Sequence, residues 1–257
     1  MIRSLQFRVG TGKSLNMAIK AVFFDAAGTL IEPLKPVGQS YALVAEKYGV
    51  KVSSAEVGAR FRVCFDASPP LAFPAVSAES LERLEREWWR QRVQCVFEPL
   101  GQFDHFDRFF AELFSYFAQP QAWTLYPEVF ATLTALRKRG LILDIISNFD
   151  SRLNGILEGL GAAHWFEEIF VSSRVGHAKP TRQIFDKALT QHNLTAAEAI
   201  HVGDSEETDL CGALNAGIKG VLIDRSSNGS PNGSLRINNL NEVISILDQA
   251  RESEGPA

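Results

Sequence analysis

Residues 22–33 read VFFDAAGTLIEP: an apolar run ends in Asp25, two alanines follow, and Gly28-Thr29 turns the chain. A short run almost continuous in β-forming apolar residues is what a parallel strand covered on both faces requires. A carboxylate at its carboxyl end stands where open α/β sheets gather their ligands. Similar runs recur as LILDIIS (141–147), EIFVS (168–172), AIHVG (199–203) and GVLID (220–224).

Helical patterns fill the later gaps, at 150–159, 181–192 and 206–217. Pro127 sits where a first helical turn begins, and Gly140 lies just past the basic end Arg137-Lys138-Arg139, the usual Pro-in, Gly-out punctuation. Strand alternating with helix predicts an α/β fold, a doubly wound Rossmann-like parallel sheet. The first gap differs, because roughly a hundred residues are too many for one crossover helix. It carries several helical patterns, with Ser77 and Ser80 as candidate N-caps, and no convincing strand. An all-helical domain inserted after the first strand is therefore expected. The division is residues 1–17 as an N-terminal extension, 18–32 and 123–250 as the sheet domain, 33–122 as the helical domain and 251–257 as a tail. SSNGSPNGS (226–234) reads as a surface loop. The aromatic residues of the insert, among them Trp88, Trp89, Phe97, Phe109, Phe110 and Phe114, could line a pocket, but their helical spacing makes most of them core.

A hydrophobic fraction of 46% against 22% charged is that of an ordinary globular protein, and a net charge of −4 argues against a nucleic-acid partner. No apolar run reaches bilayer length, so no membrane partner is expected. Cys64, Cys95 and Cys211 are odd in number, far apart and without a CxxC pair. Reduced thiols and a cytoplasmic location are the expectation, with organellar targeting by the Arg- and Ser-rich, acid-free start left open. Gly10-Thr11-Gly12-Lys13-Ser14 mimics the end of a phosphate-binding loop. Phe7 stands where that loop needs a glycine, so it reads as a chance match.

Four features mark the ends of the runs: Asp25; Ser147-Asn148; Lys179-Pro180; and Asp204 with Asp209 in GDSEETD. In a doubly wound sheet they would converge on one crevice. Two carboxylates with carbonyl and water oxygens suit Mg²⁺. A hydroxyl and a lysine suit a phosphoryl group, which an in-line carboxylate can attack. Each feature alone is commonplace; their order on the expected elements is specific.

On these motifs residues 18–250 resemble the haloacid dehalogenase-like superfamily, subfamily IA, with a helical cap. The resemblance implies that Asp25 is nucleophile and metal ligand, with the Ala27 carbonyl as a second ligand. Asp204 would be a direct ligand of Mg²⁺ and Asp209 its support. Ser147 and the Asn148 N–H would hold phosphoryl oxygens, and Lys179 would neutralise nucleophile and phosphate. Thr29 would bind substrate and, with Gly28, shape the turn that releases the chain into the cap. The substrate implied is a small phosphorylated molecule; monomer and dimer stay open.

Ala27 departs from the pattern. Phosphatases of the superfamily read DxDGT, and the second Asp protonates the leaving group and then activates water. Its loss predicts a slow phosphatase, since a positioned acid–base group is worth about 10²–10⁴-fold. The alternative is a non-catalytic protein that binds Mg²⁺ and a phosphorylated ligand or a protein partner. Phosphonate hydrolases also resemble DxAGT but need a cap lysine, and residues 52–137 contain none. Haloacid dehalogenases use no metal, which would leave Asp204 and Asp209 without purpose.

Overall fold

The computed structural model describes residues 18–225 and 235–252, with side chains to 249. The phosphate-loop mimic at residues 10–14, the loop at 226–234 and most of the expected tail lie outside that span. The chain opens with β1 (Ala21–Phe24) and β2 (Ile31–Pro33). Four helices follow: α1 (Val37–Lys47), α2 (Ser54–Asp66), α3 (Ala78–Phe97) and α4 (Phe106–Tyr116). The chain returns through β3 (Trp123–Leu125), α5 (Val129–Lys138), β4 (Ile142–Ser147), α6 (Arg152–Gly159) and β5 (Glu168–Val171). Then come α7 (Ser172–Val175), α8 (Arg182–Gln191), β6 (Ala199–Gly203), α9 (Gly212–Asn215), β7 (Lys219–Ile223), β8 (Arg236–Ile237) and α10 (Glu242–Glu252).

Six strands form one sheet in the order β5-β4-β1-β6-β7-β8, every neighbouring pair parallel. The order reverses beside β1, so the crevice past Asp25 is the switch point of the sheet. Side-chain alternation explains why β1 is apolar throughout. Val22 and Phe24 pack into one layer with Leu133, Leu153 and Ile156 of α5 and α6. Ala21 and Phe23 pack into the other with Ile184, Phe185 and Ala188 of α8. Phe23 and Phe24 are wholly buried, and truncating either to alanine would cost about 3–5 kcal/mol.

β2 and β3 make a separate antiparallel pair, through which the chain leaves for α1–α4 and comes back. At two or three residues, β2, β3 and β8 are too short to show a strand period, and the sequence reading passes over them. The four helices close around their own core of Tyr41, Val57, Val93, Phe97, Phe109 and Phe110. Ser77 caps α3 by accepting from the Ser80 N–H. A cavity of about 80 Å³ lies between these helices and the sheet domain, lined by Trp89, Phe110, Phe114 and Phe117 together with Phe149 and Arg152.

Cysteine pairing corrects the expectation of reduced thiols. Cys64 of α2 and Cys95 of α3 form a disulfide with Cα atoms 6.1 Å apart, while Cys211 is free and exposed. The loop after α2 brings α3 back against it, closing a separation of 31 residues that no short spacing motif records. The cysteine-based support for a reducing compartment goes with it. No helix among the described residues is long and apolar enough to cross a membrane.

Candidate active site

Asp25 directly follows β1, and its backbone N–H still donates to the Val202 carbonyl of β6 at 2.9 Å. The pairing therefore holds the point at which the carboxylate leaves the sheet. Lys179 reaches it from the segment before α8: Nζ donates to Asp25 Oδ1 at 2.6 Å and to Asp209 Oδ1 at 2.5 Å. Lys179 is only 4% exposed. Asn148 grips its backbone, donating from Nδ2 to the Lys179 carbonyl at 2.9 Å and accepting from the Lys179 N–H at 2.8 Å. The motif after β4 thus holds the ammonium group in place through the main chain.

Asp209 lies in a widened helical turn, Glu206–Cys211, whose Leu210 N–H reaches five residues back to the Ser205 carbonyl. Such turns recur at functional sites. Its carboxylate also takes His201 Nε2 at 2.8 Å and the Ser205 N–H at 3.1 Å. Burial would raise Asp209, but the Lys179 and His201 contacts hold it below the ordinary carboxylate range. His201 is pushed down by burial, so we assign it as a neutral ring donating Nε2–H to Asp209. Burial would lower Lys179 as well; the charges of Asp209 and Asp25 outweigh that and hold it above its usual range.

Asp25 is raised by burial, with the Asp209 charge adding and Lys179 and Ser147 pulling the other way. Asp204 is open on one side and crowded on the other. Desolvation first, then the Asp25 and Asp209 charges, push its carboxyl up to about 7.

One oxygen each from Asp25, Asp204 and Asp209 lie within 4.8 Å of one another. Three carboxylates against one ammonium leave two negative charges over when all are ionised, and the donor set is all oxygen. Both facts fit a hard divalent cation such as Mg²⁺. Gly28 belongs to the same packing. Its φ is +86°, and a Cβ there would run into the Asp204 carboxylate, so the turn after Asp25 needs glycine twice over.

Asp25, Lys179, Asp204 and Asp209 are thus brought together, and Ser147 ends the neighbouring strand, buried. Ala27 is half-buried two residues past Asp25 and pairs by a β-bridge with Ile31. Thr29 is wholly buried; its hydroxyl has no hydrogen-bond partner, and its carbonyl accepts from Arg225. Asn148 uses its side chain on Lys179, a contact that the sequence does not announce.

Other buried polar groups stand outside the sequence motifs. His201 had a signal, as the polar residue within an otherwise apolar strand. Glu85 of α3 had none, among the many charges of that helix. It is nonetheless buried, and accepts from the Ser151 N–H, the Ser151 hydroxyl and the Ser173 hydroxyl across the boundary with the sheet domain. Asp150, also buried, takes Trp89 Nε1 of α3 at 2.5 Å and Arg152 Nη2 at 2.7 Å. Arg152 Nη1 in turn donates to the Phe114 carbonyl of α4 at 3.1 Å. These contacts seat the four helices beside the carboxyl ends of β4 and β5.

A family model described as "Hydrolase: haloacid dehalogenase-like hydrolase" matches residues 19–217. The chain is 32% identical over 209 residues to "Haloacid dehalogenase-like hydrolase domain-containing protein 3" of Bos taurus, covering 80% of this chain and 82% of that protein. It is 31% identical over 249 residues to a phosphoserine phosphatase of Thermus thermophilus, covering 88% and 98%. Among solved structures, a phosphatase from Thermococcus onnurineus is 26% identical with a TM-score of 0.61, covering 89% of this chain and 98% of that one. A Bacillus subtilis hydrolase structure, described as bound to magnesium, has a TM-score of 0.70 at 18% identity and covers 90% and 100%, which bears on the fold.

Proposed function

The chain belongs to the haloacid dehalogenase-like hydrolases, and from that premise we propose that it is a slow Mg²⁺-dependent phosphatase of a small phosphorylated molecule. The observation that carries this reading is the position of Lys179, bonded to both Asp25 and Asp209 beside Asp204. Phosphatases among the relatives support the reaction class.

Asp25 attacks phosphorus, and the ester oxygen leaves as the alcohol after taking a proton from water. The phosphoryl group is carried on the Asp25 carboxylate until water attacks phosphorus, breaking the bond to Asp25 and releasing inorganic phosphate. Lys179 lowers the repulsion between the anionic nucleophile and the anionic ester. The Ser147 hydroxyl and the Asn148 N–H hold phosphoryl oxygens. Asp25, Asp204 and the Ala27 carbonyl, supported by Asp209, would hold Mg²⁺, which supplies charge stabilisation of the transferring group. Helices α1–α4 act as the cap, seated through Glu85, Trp89 and Arg152. Ala27 can neither protonate the leaving group nor activate the water. Both steps then depend on the substrate's own oxygen basicity and on bulk water, and that is the reason for slowness.

The test is a panel of phosphate esters with good and poor leaving groups, assayed with and without Mg²⁺ beside Asp25→Asn. Metal-dependent phosphate release that vanishes in Asp25→Asn, and is fastest for good leaving groups, is expected. Release no greater than that of Asp25→Asn would favour the non-catalytic binding protein, to which the missing carboxylate at Ala27 also points.

A further inference from the structure

Arg225 lies two residues beyond β7, and no motif of the sequence draws attention to it. Its guanidinium donates from Nε to the Gly28 carbonyl at 3.2 Å and from Nη2 to the Thr29 carbonyl at 2.6 Å. Nη1 donates to Glu128 Oε1 at 2.7 Å, and the guanidinium carbon stands 3.4 Å from the centroid of the Tyr126 ring. Gly28-Thr29 is where the chain leaves the sheet domain for β2 and the helices. Tyr126–Glu128 is where it re-enters after β3. The Tyr126 N–H also bonds the Leu30 carbonyl at 3.1 Å, so the outgoing and returning strands are already joined to each other. Arg225 ties that joint to the end of β7.

The turn it grips has little room to move. Gly28 is packed so closely on Asp204 that even a methyl group would collide with the carboxylate. Any shift of the Gly28 carbonyl is therefore felt by Ala27, one residue before it, and by Asp204 against it. Burial opposes ionisation of Glu128, but the Arg225 hydrogen bond holds its carboxyl below the ordinary range, so it stays an anionic anchor for the guanidinium.

We infer that Arg225 is a positioning residue: it staples both chain crossings to the sheet and thereby fixes the Asp25–Ala27–Gly28 turn against Asp204. The consequence for metal and phosphoryl binding rests on the function proposed above; the staple itself does not. Lysine cannot replace it, because one ammonium on a flexible stem does not span two carbonyls and a carboxylate in fixed directions.

The experiment uses Arg225→Lys and Arg225→Met, the first keeping the charge beside Glu128 in case the second folds poorly. Hydrogen exchange of the full chain reads the staple directly. Faster exchange confined to residues 26–33 and 123–129 is expected, and wild-type exchange there in Arg225→Lys overturns the inference. Calorimetry with Mg²⁺ alone, then with Mg²⁺ and beryllofluoride, reads the consequence. Affinity should fall by about tenfold or more, as for other groups that orient metal ligands, while the melting temperature of Arg225→Lys stays near wild type. Unchanged affinity in a variant with loosened exchange overturns the positioning role. Absence of Mg²⁺ binding in the wild type would instead strike the proposed function, leaving the exchange result to decide the staple.

Discussion

Lys179 Nζ and Asp25 Oδ1 stand 2.6 Å apart although 154 residues separate them in the chain. The contact makes the candidate nucleophile half of a buried ion pair, shared with Asp209. Lys179→Met would leave two buried carboxylates facing each other without their cation. A loss of about 3–5 kcal/mol is expected in denaturant melts without metal, with part of it recovered by Mg²⁺. The variant should also lose beryllofluoride binding. Wild-type stability and anion affinity together would remove the lysine from the site.

Asp204 is the open carboxylate of the cluster. Asp204→Asn should abolish Mg²⁺ binding in a calorimetric titration while circular dichroism shows the sheet intact. Mg²⁺ heats equal to those of the wild type would refute the ligand set.

Ala27→Asp restores the missing carboxylate. Hydrolysis of alkyl phosphates should rise by about 10²-fold, the lower part of the range for a positioned acid–base group. Nitrophenyl phosphate should gain less in its first step, because its leaving group hardly needs a proton. No gain on either substrate, in a folded variant saturated with Mg²⁺, would turn the reading toward a binding protein.

Glu198 gives a pH signature away from the site. Its carboxylate meets Lys20 Nζ at 2.6 Å and accepts the Thr195 N–H and hydroxyl, each at 2.8 Å. The Lys20 hydrogen bond first, and Thr195 next, bring its carboxyl down to about 2 from an ordinary 4.5. The folded value lies below the unfolded one, so this stability is full above 4.5 and is lost as pH falls toward 2. Glu198→Gln should therefore be less stable than wild type at neutral pH, and the gap should close between pH 4.5 and 2. A gap independent of pH would mean that the carboxylate charge is not what matters.

The Cys64–Cys95 bond closes a loop with a sequence separation of 31, for which loop entropy gives about 3–4 kcal/mol. Cys95→Ser should lower the melting temperature of oxidised protein, yet leave Mg²⁺ affinity unchanged, because the bond lies within the helical part. Equal melting of the variant and of wild type kept under oxidising conditions would refute a stabilising bond.

Much of the candidate site was legible because Asp25, Ser147-Asn148 and Asp204 stand at the ends of strand-like runs, Lys179 lies between the third run and the next helix, and the ends of parallel strands share one edge of the sheet. Thr29 shows the limit of such reading. Its place in the motif suggested a role beside substrate, while the structure buries its hydroxyl and puts its carbonyl on Arg225. Glu85 shows the converse, a buried carboxylate at the helix–sheet boundary that resembles any solvated acid of α3.

By itself the sequence determined the alternation of strand and helix, the helical insert, the family and the carboxylates that close the first and fourth of the apolar runs. The alternation and the insert follow from local patterns, since the spacing of apolar residues along one element records which of its faces loses water; the family follows from the resemblance of the motifs around Asp25, Ser147, Lys179 and Asp204. Only the tertiary structure decided that Cys64 meets Cys95, that His201 backs Asp209, that Glu85 reaches Ser151 and Ser173, and that Arg225 holds the turn after Asp25. Each of these joins polar or sulfur groups whose partners lie on other elements. Their pairing depends on which surfaces meet when the layers pack, and that leaves no period in the chain.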